Sequence, residues 1–340
     1  MMWKYGMLFL LLFASCQYER TIQPAFYYWK TQYQRREREQ ATLNKLDTKQ
    51  LFVRIMDVDL DETGLKAIPV SPIVFKNKLP DSIDVVPVVY IVNNVLKQQS
   101  EQALTMLANR ILSFTEAKVK QGGKNKFTEL QIDCDWTQTT RETYFSLLKK
   151  IKALTSHKTI ILSATLRLHQ IKNRHSSGIP PVDKVLLMCY NMGNLRKYGT
   201  QNSILDEKEM AIYLKDFLPH YPLPVDIALP LFSWSVVFRD QQYVGISKHL
   251  DSQSLTDTNL FYRQGNTSLY HLKKELPKAG LRVNDVIRRE EVNIETLFVA
   301  SDFLSRYLPR KDLKVVFYHL DAALLNRFSD EQLQEIIDRF

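Results

Sequence analysis

Residues 129–137 read ELQIDCDWT, an alternating run that closes on two carboxylates and an indole. Side chains of a strand point to opposite faces in turn. Asp133 and Asp135 therefore share one face, roughly 6.6 Å apart along the strand, and Cys134 takes the other. Two carboxylates at the end of a hydrophobic strand are costly to bury unless something pairs or uses them. Residues 188–193, MCYNMG, end similarly in Tyr190 and Asn191. Both stretches have the form expected where a barrel opens to its substrate.

Working outward, six further runs have the composition of buried strands: 25–30 (AFYYWK), 51–56 (LFVRIM), 84–92 (DVVPVVYIV), 158–168 (KTIILSATLRL), 224–232 (PVDIALPLF) and 313–319 (LKVVFYH). With 128–135 and 182–190 they predict eight strands. Between them lie helical patterns, clearest in 101–118, with apolar residues at 104, 107, 108, 111 and 112, and in 141–154, with Tyr144, Leu147, Leu148 and Ile151. Thr139 or Thr140 is placed to cap the second of these. Further helices are expected over 32–49, 207–218, 293–308 and 329–340. Strands alternating with helices indicate parallel β/α units, and eight of them fit a (β/α)8 TIM barrel. The open doubly wound sheet is the alternative, but no glycine-rich phosphate loop follows the first strand. No repeat or linker divides the chain, so one domain is expected over 25–340, with a long irregular excursion near 241–290. The acidic run 57–61 reads as a surface loop, with Asp57 ending the second strand.

The N-terminus reads as an export signal. Lys4 precedes the apolar run MLFLLLFA at 7–14. That run is too short to span a bilayer, which takes about 20 residues. Phe13-Ala14-Ser15 before Cys16 resembles the bacterial lipoprotein signal. The resemblance implies loss of 1–15, lipidation of Cys16, a tether over 16–24, and anchoring to the cell envelope, at the periplasmic or surface face of an outer membrane. Removing 1–15 deletes Lys4 and no acid, which takes the formal charge from +9 to +8. The excess is spread along the chain, without the basic stripe and exposed aromatics that nucleic-acid binding requires. Cys134 and Cys189 are expected as free buried thiols. Two strand spacings separate them by about 9.6 Å, beyond the roughly 7 Å a disulfide spans. The seven histidines show no metal-ligand spacing. No cofactor motif and no G-x-S-x-G nucleophile elbow occurs, so neither a metal nor a cofactor is expected. Oligomeric state is not legible.

Catalytic residues of such a barrel sit at the C-terminal ends of its strands. Those ends carry Tyr28 and Trp29, Asp57, Asn93 and Asn94, Asp133, Asp135 and Trp136, Arg167 and His169, Tyr190 and Asn191, Phe232 and Trp234, Tyr318 and His319. Aromatic platforms mixed with carboxylates and amides suit a sugar, whose apolar face stacks while its hydroxyls hydrogen-bond. Asp133 and Asp135 are the catalytic candidates. Tyr28, Asp57, Trp136, Arg167, Tyr190, Asn191 and Trp234 are the substrate-binding candidates.

Asp133-Cys134-Asp135-Trp136, Met188-Cys189-Tyr190-Asn191 and Ala228-Leu229-Pro230-Leu231-Phe232 resemble the strand-four, strand-six and strand-seven signatures of family 18 glycoside hydrolases. The chain is also similar to a group of exported bacterial lipoproteins with such a barrel. In the chitinase pattern D-x-x-D-x-D-x-E, Asp133 and Asp135 fill the second and third acidic positions. Leu130 stands at the first, and Thr137 stands where the proton-donating glutamate belongs. Tyr190 matches the tyrosine that holds the reacting acetamido group, and Asn191 replaces the usual aspartate. A threonine cannot supply the proton a leaving oxygen needs.

Three readings follow. The first is a glycosidase whose acid is Asp57, Asp133 or the Glu290/Glu291 pair. The second is a non-catalytic glycan-binding barrel in which Asp133 pairs with Arg167. The third is an assembly lipoprotein with an incidental pocket. The expected partners are a glycan or glycoconjugate, and a membrane through the lipid.

Overall fold

The computed structural model describes residues 20–97, 99–247, 250–309 and 311–340. The signal segment 1–15, the lipidation site Cys16 and most of the tether lie outside the described residues. Eight parallel strands form the barrel: β1 Ile22–Tyr28, β2 Gln50–Leu60, β3 Asp84–Ile91, β4 Glu129–Asp133, β5 Ile161–Arg167, β6 Lys184–Met188, β7 Val225–Pro230 and β8 Leu313–Tyr318. Each pairs with its sequence neighbours, and β1 pairs with both β8 and β2, so the sheet closes on itself. This is the (β/α)8 barrel the strand pattern predicts.

The helices follow their apolar stripes. Apart from two four-residue turns at Arg174–Ser177 and Ala322–Leu325, they are α1 Glu37–Lys45, α2 Glu101–Gln121, α3 Arg141–Ser156, α4 Leu168–Lys172, α5 Glu207–Leu214, α6 Ile294–Tyr307 and α7 Asp330–Asp338. Ser100 caps α2 by accepting from Ala103 N–H at 3.1 Å, and Leu104, Leu107, Ala108, Ile111 and Leu112 are buried on one stripe. Thr140 sits at the cap position of α3, but its hydroxyl does not cap the helix. It donates to Asn93 Oδ1 at 2.6 Å.

Residues 32–33, expected in a helix, form a short strand with Val74–Phe75, and three further differences from expectation bear on the architecture. β1 begins at Ile22, and the Arg20 guanidinium donates to the carbonyls of Leu308 and Phe340 at 3.0 Å each, so residues 20–24 belong to the barrel rather than to a tether. The acidic run after residue 57 is not a loop. β2 continues to Leu60 because it pairs antiparallel with Ala67–Val70, and Asp61 then anchors the turn through Thr63. The excursion is regular. Trp234–Arg239, Gln242–Ser247, Phe261–Arg263, Leu269–Leu272 and Val286–Glu290 form a five-stranded antiparallel sheet between β7 and α6. Val237, Leu255, Phe261 and Ile287 give that sheet a core of its own, and Phe238 on its other face packs edge-on against Tyr198 at 5.4 Å.

The inner face of the barrel is polar at its base. Lys314 and Glu129 pair at 2.6 Å with little exposure, Glu129 also accepts from Ser163 at 2.7 Å, and Lys184 pairs with Asp226. Cys134 and Cys189 are free, buried thiols, and burial raises the pKa of both.

Candidate functional site

At the C-terminal ends of the strands lies an open cleft of about 590 Å³. Among its lining residues are Asp57, Asp133, Asp135, Arg167, Tyr190, Asn191 and Trp234, seven of the nine expected site residues. Strand alternation accounts for the other two. Tyr28 faces outward, where its hydroxyl donates to the Gln32 carbonyl at 2.7 Å and its ring packs on Tyr33 at 5.0 Å. Tyr27 lines the cleft instead. Trp136 follows Asp135 by one residue and so turns to the helical layer. Its Nε1–H donates to the Ser177 carbonyl at 2.9 Å, and its ring stacks on Tyr144 at 5.0 Å. Asn93, Asn94, His169 and His319 do not line the cleft.

The sequence reading missed Arg54, Tyr27 and Tyr90. For Arg54 a signal existed, a lone cation inside the apolar run LFVRIM, which is costly to bury unpaired. The register of β2 on β3 shifts between Arg54 and Met56. A bulge reverses the alternation, so Arg54 and Asp57, three residues apart, reach the same side and pair. Arg54 Nε donates to Asp57 Oδ1 at 2.7 Å, and the second nitrogen–oxygen contact completes a fork.

A second fork lies across the floor. Arg167 Nε and Nη2 donate to Asp135 Oδ1 and Oδ2 at 2.6 and 2.8 Å. Two parallel charge-assisted bonds fix both groups. Arg167 is desolvated, which alone would lower its pKa, but the Asp135 bonds raise it further than that. The expected Asp133–Arg167 pair is therefore not formed. Asp133 sits one layer deeper and accepts from the Thr165 hydroxyl at 2.6 Å. Its pKa is pushed up to about 6, chiefly by burial. The Thr165 bond opposes this shift and the Asp135 charge adds to it.

The other acid candidates are committed elsewhere. Glu290 is buried and accepts from Arg288, Ser203 and Trp234. Glu291 pairs with Arg289 at 2.9 Å. Thr137 is exposed, with its hydroxyl 2.9 Å from that of Thr139, and it does not line the cleft.

Opposite the carboxylates runs an aromatic wall. Trp29 meets Tyr318 at 5.7 Å, Tyr318 meets Tyr190 at 5.3 Å and Phe232 at 5.8 Å, and Phe232 meets Trp234 at 5.2 Å. Tyr27 closes the wall below, with its ring 5.6 Å from that of Tyr318 and its hydroxyl on Gln131. Burial raises the phenol pKa of Tyr27, Tyr190 and Tyr318, which keeps this surface uncharged. A wall of mutually tilted aromatic rings facing fixed carboxylates and an amide is an arrangement for a ring that is apolar on its face and hydroxylated at its edge.

No family model matches the chain, and no curated protein matches it. Solved structures do. A chitinase from Chromobacterium violaceum superposes with a TM-score of 0.53 at 12% identity, over 93% of this chain and 98% of that one. The fold is that of the chitinase barrels. A family 18 chitinase mutant from Cycas revoluta, solved in complex with (GlcNAc)4, gives 0.52 at 11% identity over 93% and 99% of the two chains. A spore cortex-lytic enzyme from Bacillus megaterium gives 0.52 at 11% identity over 95% and 75%.

Proposed function

We propose that this protein is a lipid-anchored, glycoside-hydrolase-like barrel that binds a glycan in the cleft without cleaving it. One observation carries the reading. Asp135, which fills the third acidic position of the family 18 pattern, is held side-on by Arg167 at 2.6 and 2.8 Å. A carboxylate with both oxygens in a guanidinium fork is a poor nucleophile and a poor proton donor. Asp57 is tied to Arg54 in the same way. Thr137, at the position of the proton-donating glutamate, carries no acid. What remains is a binding surface, with Trp29, Tyr190 and Trp234 for stacking and Asn191 and the paired carboxylates for hydroxyls. Lipidation of Cys16 would hold that surface at the cell envelope, at the periplasmic or surface face of an outer membrane.

Calorimetric titration with a panel of bacterial and host oligosaccharides, (GlcNAc)4 among them, is the test, run beside chromogenic glycosides. Binding without turnover supports the reading. Turnover abolished by Asp135→Asn overturns it in favour of hydrolysis, and neither binding nor turnover leaves an assembly role. A specific observation favours hydrolysis as the second reading: Asp133, with a pKa of about 6, is partly protonated near neutrality, as a general acid must be.

A further inference from the structure

We propose that Glu290 is a positioning residue of the cleft, one that fastens Trp234 to the loop carrying Asn191 and so fixes the spacing of two walls. This rests on the reading of the cleft as a glycan site. Glu290 ends the last strand of the five-stranded sheet and is buried. Its Oε2 accepts three bonds, from Ser203 N–H at 2.6 Å, Ser203 Oγ at 2.7 Å and Trp234 Nε1–H at 3.0 Å. Its Oε1 accepts from Arg288 Nε at 2.7 Å.

Each contact reaches a different part of the wall. Trp234 faces the cleft, and its indole nitrogen is a donor only. Without an acceptor at this point the ring would have to turn to find one. Ser203 carries the loop after β6, because the Ser203 carbonyl accepts from Met192 N–H at 2.9 Å and the Ile204 carbonyl from Asn191 N–H at 2.8 Å. Asn191 is held at φ +57°, a left-handed conformation that asparagine tolerates, and its N–H bond to the Ile204 carbonyl fixes it there. Arg288 pins the same loop further along, at the carbonyls of Leu195 (2.9 Å) and Lys197 (2.6 Å), with its guanidinium 4.9 Å over Phe238.

Stability alone is a weak reason for such a pair. A fully buried ion pair contributes little that well-packed apolar residues would not. It does impose direction on four donors at once. Glu290 thus couples the excursion sheet, which supplies Trp234, to the barrel loop, which supplies Asn191.

The test uses the indole N–H resonances of ¹⁵N-labelled protein together with (GlcNAc)4 titration, for wild type, Glu290→Gln, Trp234→Phe and the double variant. Loss of one signal in Trp234→Phe identifies the Trp234 resonance. Glu290→Gln is expected to shift that resonance and to weaken (GlcNAc)4 binding about tenfold, the scale of one charged hydrogen bond. The losses of the two single variants should combine to well under their product, since both act on one contact. An unmoved Trp234 resonance in folded Glu290→Gln, or losses that multiply, overturns the proposal. If Glu290→Gln does not fold, Ser203→Ala decides. It leaves the ion pair intact and should still move the Trp234 resonance, and an unmoved signal there counts against the proposal. A wild type that ignores every glycan while the resonance still moves removes the glycan reading and leaves the positioning role standing.

Discussion

Arg167 holds Asp135 by both oxygens, while Asp133, two residues earlier at the end of β4, is left to a single threonine. The two carboxylates that share a face therefore differ in what loosens them. For Asp135 it is loss of the arginine. Arg167→Met strands a carboxylate in a cleft where its side chain is 43% exposed. That costs about 1–2 kcal/mol, below the 3–5 kcal/mol of a fully buried pair because solvent screens it. The double variant with Asp135→Asn should recover most of the loss. Urea unfolding of the wild type and three variants measures this. Equal losses in single and double variants would show that the pair is not what holds Arg167.

For Asp133 it is pH. Its folded pKa, about 6, lies above the unfolded carboxyl value, which is about 3.9. The folded state binds the extra proton in between, so this group's contribution is full below about pH 4 and is lost as pH rises through 6. A shift of this size corresponds to about 2–3 kcal/mol. Asp133→Asn removes the dependence, so its stability relative to wild type should improve by about that amount between pH 4 and pH 8. Denaturant curves at both pH values test the sign, and a difference that does not change with pH would contradict it.

Two tryptophans that look alike in sequence should behave differently. Trp234→Ala removes the end of the aromatic wall and one donor to Glu290, and should weaken glycan binding about tenfold, with a smaller loss of stability than Trp136→Ala. Trp136→Ala empties a packed site against Tyr144. It should cost about 3–5 kcal/mol of stability, and the protein that remains folded should keep its glycan affinity. Titration and thermal melts on both variants separate the two roles.

A glutamate placed at residue 137 should not create chemistry. Thr137→Glu places an acid on a segment whose threonine hydroxyl faces Thr139 and not the cleft, while Arg167 still holds Asp135. Turnover of chromogenic glycosides is expected to stay undetectable. Hydrolysis by this variant would mean that an acid at residue 137 is all the site needs.

At the base of the barrel, Lys314→Met leaves Glu129 buried without its 2.6 Å partner. The expected loss is about 3–5 kcal/mol, and Lys314→Met with Glu129→Gln should lose clearly less. A chemical denaturation series gives both numbers, and a double variant as unstable as the single would argue against the pairing.

The barrel was legible because its strands and helices carry distinct periods. The runs at 84–92 and 313–319 and the stripe from Leu104 to Leu112 each belong to one kind of element. The five-stranded sheet was not, because its strands are short, with polar or exposed residues such as Gln242 and Tyr262 at the positions that reveal a period. Within the site, alternation correctly placed Asp133 and Asp135. Applied with equal strictness it would have turned Trp136 and Tyr28 outward. Arg54 left a signal, its charge inside an apolar run, but its meeting with Asp57 depends on a bulge, which changes the phase of a strand without leaving a mark in the sequence. The exchange of partners between Asp133 and Asp135 depends on how far the Arg167 side chain reaches, which strand spacing does not specify.

β1 lies between β2 and β8, and Arg20 reaches the Phe340 carbonyl, more than three hundred residues away in sequence. A ribosome delivers these partners far apart in time. β1 and β2 can meet early, whereas the other edge of β1 waits for β8, whose first residue is Leu313, with the excursion sheet made in between. Pairings of such long sequence separation form slowly, and an open strand edge is a template for other chains while it waits. A chain cut short before β8 should therefore be prone to aggregate rather than be merely less stable, and β8 matters more to solubility during synthesis than its small share of the core suggests.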